Sequence, residues 1–175
     1  MKLVTKILSL GIIFLFVSTL QLSAQKCKYD YNKTDPITGE TTKKTSFSIL
    51  PKGTTFGKMS FHKIGTTYHF QMDISCTGEL KEIVEKGDKI TLKLSNGEII
   101  TFTSQDDIKP VYNVSPGLVV TSRYTVAYDI DVESLQQITE FLPTFIRINI
   151  GTKVYDEQIA SGIGKKIAQA AECIL

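Results

Sequence analysis

Apolar and polar residues alternate most regularly between Phe56 and Cys76. Tyr68, Phe70, Met72, Ile74 and Cys76 fall on one face, and Thr67, His69, Gln71, Asp73 and Ser75 on the other. That period of two is the mark of a half-buried strand. Upstream, Met59 and Phe61 alternate with Lys58, Ser60 and His62, and Gly65-Thr66 between the runs suits a two-residue hairpin turn. Counting outward from that turn sets Phe61 opposite Phe70, Met59 opposite Met72, Lys58 opposite Asp73 and His62 opposite His69. Aromatic then meets aromatic and cation meets anion, as cross-strand pairing favours.

The same patterning places further elements along the chain. Thr45 to Leu50 reads as a strand closed by Pro51 and Gly53. Glu79 to Glu85 is either one helical turn or a strand extension. Ile90–Leu94 and Glu98–Thr103 flank Asn96-Gly97 and read as a second hairpin. A two-residue turn would pair Leu94 with Ile99 and Thr91 with Phe102. It would also leave apolar side chains on both faces, Ile100 and Phe102 on one and Ile90, Leu92, Leu94 and Ile99 on the other. Ser104 to Gly117, broken by Asp106-Asp107, Pro110 and Pro116, reads as a long loop of the kind that often carries function.

Leu118 to Ile130 is a long strand with Tyr124, Val126, Tyr128 and Ile130 on one face. Asp131 can cap a short helix near 132–141 with Val132, Leu135 and Ile138 on one side. Thr144 to Ile150 returns as a strand with Ile146, Ile148 and Ile150 inward. Asp156 is the expected cap of a C-terminal helix near 157–173, whose stripe is Ile159, Ile163, Ile167, Ala170 or Ala171, and Ile174. Gly162 and Gly164 weaken that helix or let it approach a sheet closely. The expected fold is α+β, with antiparallel hairpins forming a sheet or a sandwich-like β domain.

The first 25 residues carry a different message. Lys2 and Lys6 precede an apolar run from Ile7 to Val17, and Leu22-Ser23-Ala24 offers a small residue for cleavage. This is the layout of a signal peptide, and the apolar run is short for a membrane span. Residues 26–175 then form one domain destined for the periplasm or the extracellular space. Cleavage after Ala24 removes 24 of the 175 residues and leaves 151. Lys2 and Lys6 leave with it, so Lys and Arg fall from 20 to 18 against 18 acids, and the formal charge falls from +2 to zero. Scattered lysines on a neutral domain give no footprint for nucleic acid.

Three cysteines remain, Cys27, Cys76 and Cys173. Export permits one intramolecular disulfide, for which Cys27 and Cys173 are the candidates, with Cys76 packed inward as a small hydrophobe. The competing arrangement leaves all three reduced.

The chemistry available is sparse. The hairpin register sets His62 beside His69, and such a pair binds a metal only with a further ligand from elsewhere. Asp73 is about 13 Å along the strand from His69, too far to help. Asp129, Asp131 and Glu133 would project together only if the strand ran straight through them. Arg123 and Arg147, the only arginines, could clamp an anion if their strands were neighbours. Asp30-x-Asn32-x-Thr34 lacks the glycine and glutamate of a calcium loop, and Ser161–Lys166 lacks the first glycine and the hydroxyl of a phosphate loop. No nucleophile motif accompanies the histidines.

Taken together, a Ser-Ala-Gln ending to the leader, Cys27 to Gly39 as C-x-Y-x-x-N-x-x-D-x-x-T-G, Gly87-Asp88-Lys89-Ile90 before an Asn-Gly hairpin, and Ile146-Arg147-Ile148 before a helix ending Cys-Ile resemble small exported β-rich proteins of Bacteroidetes bacteria. The resemblance implies export and a β-rich fold, and it lends no catalytic or binding residues. The expected function is non-catalytic binding, with no cofactor, of a protein, glycan or small molecule. The alternative is a metal-binding protein or metal-dependent hydrolase built on His62 and His69.

Overall fold

In a computed structural model of the chain, residues 27–51, 54–115, 117 and 119–175 are described. The leader reading on residues 1–25 lies outside them. The described residues form two antiparallel sheets and two helices around one hydrophobic core. The strands are β1 (Tyr31–Thr34), β2 (Thr41–Ser48), β3 (Phe56–Ile64), β4 (Thr67–Thr77), β5 (Lys89–Leu94), β6 (Ile99–Thr103), β7 (Val111–Ser115), β8 (Val119–Asp129), β9 (Pro143–Ile150) and β10 (Lys153–Gln158). The helices are α1 (Val132–Glu140) and α2 (Ser161–Glu172). One sheet runs β1-β2-β3-β4-β8-β7, the other β10-β9-β5-β6.

The β3–β4 hairpin has the register counted from its turn: Phe61 faces Phe70, Met59 faces Met72, Lys58 faces Asp73, and His62 faces His69. The ion pair expected from that register is absent. Lys58 instead reaches Asp30 at 3.2 Å, and Asp73 accepts from Gln71 Nε2 at 2.8 Å and Thr125 Oγ1 at 2.6 Å, with Arg123 at 3.6 Å. Backbone register fixes which residues are opposite, while long side chains choose among several partners.

The second hairpin departs by one residue. Lys93, not Leu94, faces Ile99, and Ile90, not Thr91, faces Phe102. Leu94 N–H donates to the Glu98 carbonyl at 2.9 Å, and Gly97 N–H donates to the Leu94 carbonyl at 3.0 Å, so the loop has three residues. Gly97 lies at φ +91°, the left-handed position that a three-residue loop with a bulge requires. The slip reverses the facial assignment. Ile90, Leu92, Leu94, Ile100 and Phe102 are all buried, and Ile99 is exposed. This hairpin is therefore apolar on one face only, and its apolar face closes a two-sheet sandwich.

The core draws from every layer. Phe61, Phe70 and Met72 come from one sheet, Leu92 and Ile148 from the other, and Leu135 and Ile167 from the helices. Phe70 and Phe102 stack across the interface with ring centroids 4.9 Å apart. Tyr128 packs beside Phe70, and its hydroxyl is buried without a hydrogen-bond partner among the described residues, with burial pushing its pKa up.

Asp131 caps α1 as expected, accepting from Ser134 N–H at 2.6 Å, while Leu135 and Ile138 are buried and Val132 is exposed. Asp156 does not cap α2. It sits in β10 opposite Arg147, because Val154, Asp156 and Gln158 alternate with buried Tyr155 as a strand. The last helix therefore begins only after Ala160, with no side-chain cap. Ile159 is buried but precedes the helix, its N–H donating to the Thr144 carbonyl at 2.9 Å. The 79–85 segment forms neither a helical turn nor a full strand. It contributes a single bridge, Val84 to Ile108.

Gly164 shows why glycine is needed in α2. A Cβ there would lie 2.7 Å from the Pro143 carbonyl oxygen, so the helix seats on the start of β9 more closely than any other residue allows.

Cys27 and Cys173 form a disulfide with Cα atoms 5.6 Å apart. Cys76 is buried and free, its thiol donating to the Tyr155 hydroxyl at 3.7 Å. Burial pushes that thiol's pKa up, which suits a packing role.

Candidate interaction edge

The histidines of the β3–β4 hairpin have separate partners. His62 Nε2 lies 2.9 Å from Ser60 Oγ on its own strand. His69 Nδ1 lies 3.0 Å from Asp129 Oδ1 across the β4–β8 ladder. Among the described residues, no three His, Cys, Asp or Glu side chains gather as a metal-binding group. The donor set thus lends no support to the metal alternative.

Ser60 and His62 also look like two thirds of a nucleophilic triad. The acid that should orient the base is on the other histidine, and Ser60 is only 1% exposed, so a substrate carbonyl has no route to its oxygen. Burial, reinforced by the charges of Lys44 and His69, holds the His62 pKa down at about 4, well under its usual 6.5. An imidazole so depressed is a weak proton acceptor.

This shift also sets a pH dependence. The folded state disfavours the His62 proton and the unfolded chain accepts it, so this group's contribution to stability is fully present above pH 6.5 and is lost as pH drops toward 4. Urea titrations between pH 7 and 4 are expected to show a steeper decline for the native protein than for His62→Gln. Parallel curves would contradict the assignment.

The remaining candidates disperse. Asp131 is occupied as a helix cap, and Asp129 pairs with His69. Arg123 is on β8 and Arg147 on β9, in different sheets, so they form no shared clamp. Arg147 instead makes two bonds to Asp156, Nε to Oδ1 at 2.8 Å and Nη2 to Oδ2 at 2.6 Å. Asp35, standing where a calcium loop has its glycine, accepts from Ile37 and Thr38 N–H and forms an Asx turn.

The 104–117 segment is where the structure adds most. It is not a plain loop. Ile108 exchanges both backbone bonds with Val84, at 2.7 and 2.9 Å, and residues 111–115 form β7 on the end of the six-stranded sheet. Val111 pairs with Arg123 and Ser115 with Val119. Tyr112 tethers the strand from below, its hydroxyl donating to the Leu80 carbonyl at 2.8 Å.

β7 is apolar and open. Val111 is 63% exposed and Val114 is 62% exposed, on opposite faces of the strand, with Val119 exposed beside them. Its sequence, VYNVS, holds no charged residue. The other end of the same sheet is guarded by Lys33 within a four-residue strand, and β10 by Lys153, Asp156 and Glu157. Sheet edges are normally blunted by such charges because a bare edge recruits further strands. β7 is too short to carry a long alternation. The available signal was its β-branched and aromatic enrichment between Pro110 and Pro116.

Comparison of the chain with protein-family models, with curated proteins and with solved structures found no match.

Proposed function

We propose that this protein is an exported, non-catalytic interaction domain that engages an extended segment of a partner protein along β7. The observation that carries the reading is the uncharged β7 edge, with Val111, Tyr112 and Val114 exposed along it. A strand added there gains main-chain bonds to β7 and apolar cover for Val111 on one face and Val114 on the other. The leader-like residues 1–25 and the Cys27–Cys173 disulfide support export, since such bonds persist in oxidising compartments.

A random heptapeptide library displayed on phage and panned against the purified protein tests the edge. Selected peptides are expected to be rich in β-branched residues and to shift the backbone amide resonances of 111–115. Val111→Lys with Val114→Lys should weaken them at least about tenfold, roughly 1.4 kcal/mol, while leaving Tm almost unchanged because both positions are exposed. Selected peptides that bind the double variant equally well would overturn the reading.

A further inference from the structure

A second strand edge lies hidden in the same sheet. β1 covers β2 only from Thr41 to Lys44. The last bond runs from Asp30 N–H to the Lys44 carbonyl at 2.9 Å, after which the chain turns aside to the Cys27–Cys173 disulfide. In an antiparallel strand, every second residue directs its N–H and C=O to the same side. Lys44 faces β1, so Ser46 and Ser48 present their backbone groups on that side, where no described strand is paired with them.

This bare half-edge borders a cleft of about 510 Å³ between β2 and α2. Phe47 and Ile163 supply apolar surface, and Gln169 and Lys166 line the helical wall. The Thr45 hydroxyl donates to the Ala170 carbonyl at 2.8 Å and holds the two elements in place. Lys28 and Lys166 both line the cleft and are exposed, and neither forms an ion pair with a described residue. No acid lines it. The acid beside it, Asp30, is engaged by Ser46 at 2.6 Å and by Lys58 at 3.2 Å.

We propose that this cleft takes an extended acidic segment of a partner protein, added as a strand beside Thr45–Ser48 with its carboxylates at Lys28 and Lys166. The backbone edge supplies main-chain bonds, and the strand–helix cleft supplies pockets for alternate side chains. The two unpaired lysines select the sign of charge and lose strength as salt rises. The site is independent of β7: it differs in position, in charge and in the peptide it selects.

Two synthetic hexapeptides, Val-Glu-Val-Glu-Val-Glu and Val-Lys-Val-Lys-Val-Lys, test it by fluorescence anisotropy and by amide shifts of the labelled protein. The glutamate peptide is expected to bind at least about tenfold tighter, to shift the Ser46 and Ser48 amides, and to weaken with salt. Lys28→Glu with Lys166→Glu should reverse the preference, and thermal melts should show the variant folded. The glutamate peptide methylated on alternate backbone nitrogens should lose most of its affinity, which separates strand addition from charge attraction alone. The proposal is overturned if neither peptide binds, if both bind equally, or if the double variant changes nothing. It is overturned equally if the shifts fall on 111–115, a result that would leave the β7 reading standing.

Discussion

Phe70→Ala is expected to cost about 4–5 kcal/mol, at the upper end of buried aromatic truncations. Phe70 is fully buried and has four aromatic neighbours: Phe102 at 4.9 Å, Phe61 at 5.5 Å, Tyr128 at 6.1 Å and Phe47 at 6.5 Å. Phe102 belongs to the opposite sheet, so this ring joins the two halves of the sandwich as well as filling space. The surrounding residues sit on paired strands and cannot collapse inward, so most of the cavity should persist. Urea unfolding followed by tyrosine fluorescence measures the loss. Phe56→Ala, at a half-exposed position on the same hairpin, is the control and should cost far less. Equal costs for the two would mean that the aromatic cluster does not hold the sheets together.

Breaking the disulfide is expected to cost about 5 kcal/mol on the chain-entropy account, because the bond closes a sequence separation of 146 residues. Cys27→Ser frees the segment before β1 as well, including the Tyr29 hydroxyl that donates to the Cys173 carbonyl at 2.9 Å. The urea midpoint should drop in Cys27→Ser and in the native protein under reductant, by similar amounts. Alkylation of the unreduced, denatured protein followed by mass measurement should modify one cysteine, Cys76. Three modified cysteines would show that the bond does not form in the purified protein.

Much of the architecture was legible wherever alternation was long and the turn was short. The β3–β4 register followed from Gly65-Thr66 because a two-residue turn leaves no freedom in the count. The 95–97 loop defeated the same method, since Asn96-Gly97 serves a two-residue turn and a three-residue loop alike, and one residue of error exchanged the faces. Asp156 satisfied the composition of a helix cap, but the Arg147 guanidinium across the ladder offered it a better place. β7 escaped because five residues between two prolines carry almost no periodic signal and become a strand only when β8 lies alongside. The pairing of β4 with β8 joins segments about fifty residues apart, and nothing local announces it.

The sites were less legible than the fold, and for a related reason. Facing histidines were readable from the register, but Asp129 and Ser60, which claim one imidazole each, depend on strand order and on side-chain reach. The two edges proposed for binding are defined by where partners stop: β1 beyond Lys44, and the sheet beyond β7. A missing neighbour leaves no mark in a string of residues.

Gly164 has a bearing beyond helix packing. Its hydrogen is the spacer that lets α2 lean on the Pro143 carbonyl, and the opposite flank of that helix is a wall of the β2 cleft. A methyl group at 164 would push the whole helix sideways, as a shim moves a hinged door. The aperture beside Phe47 would change although no atom of residue 164 faces it. Descendants of this chain could thus retune what the cleft admits by altering a position that never meets the guest.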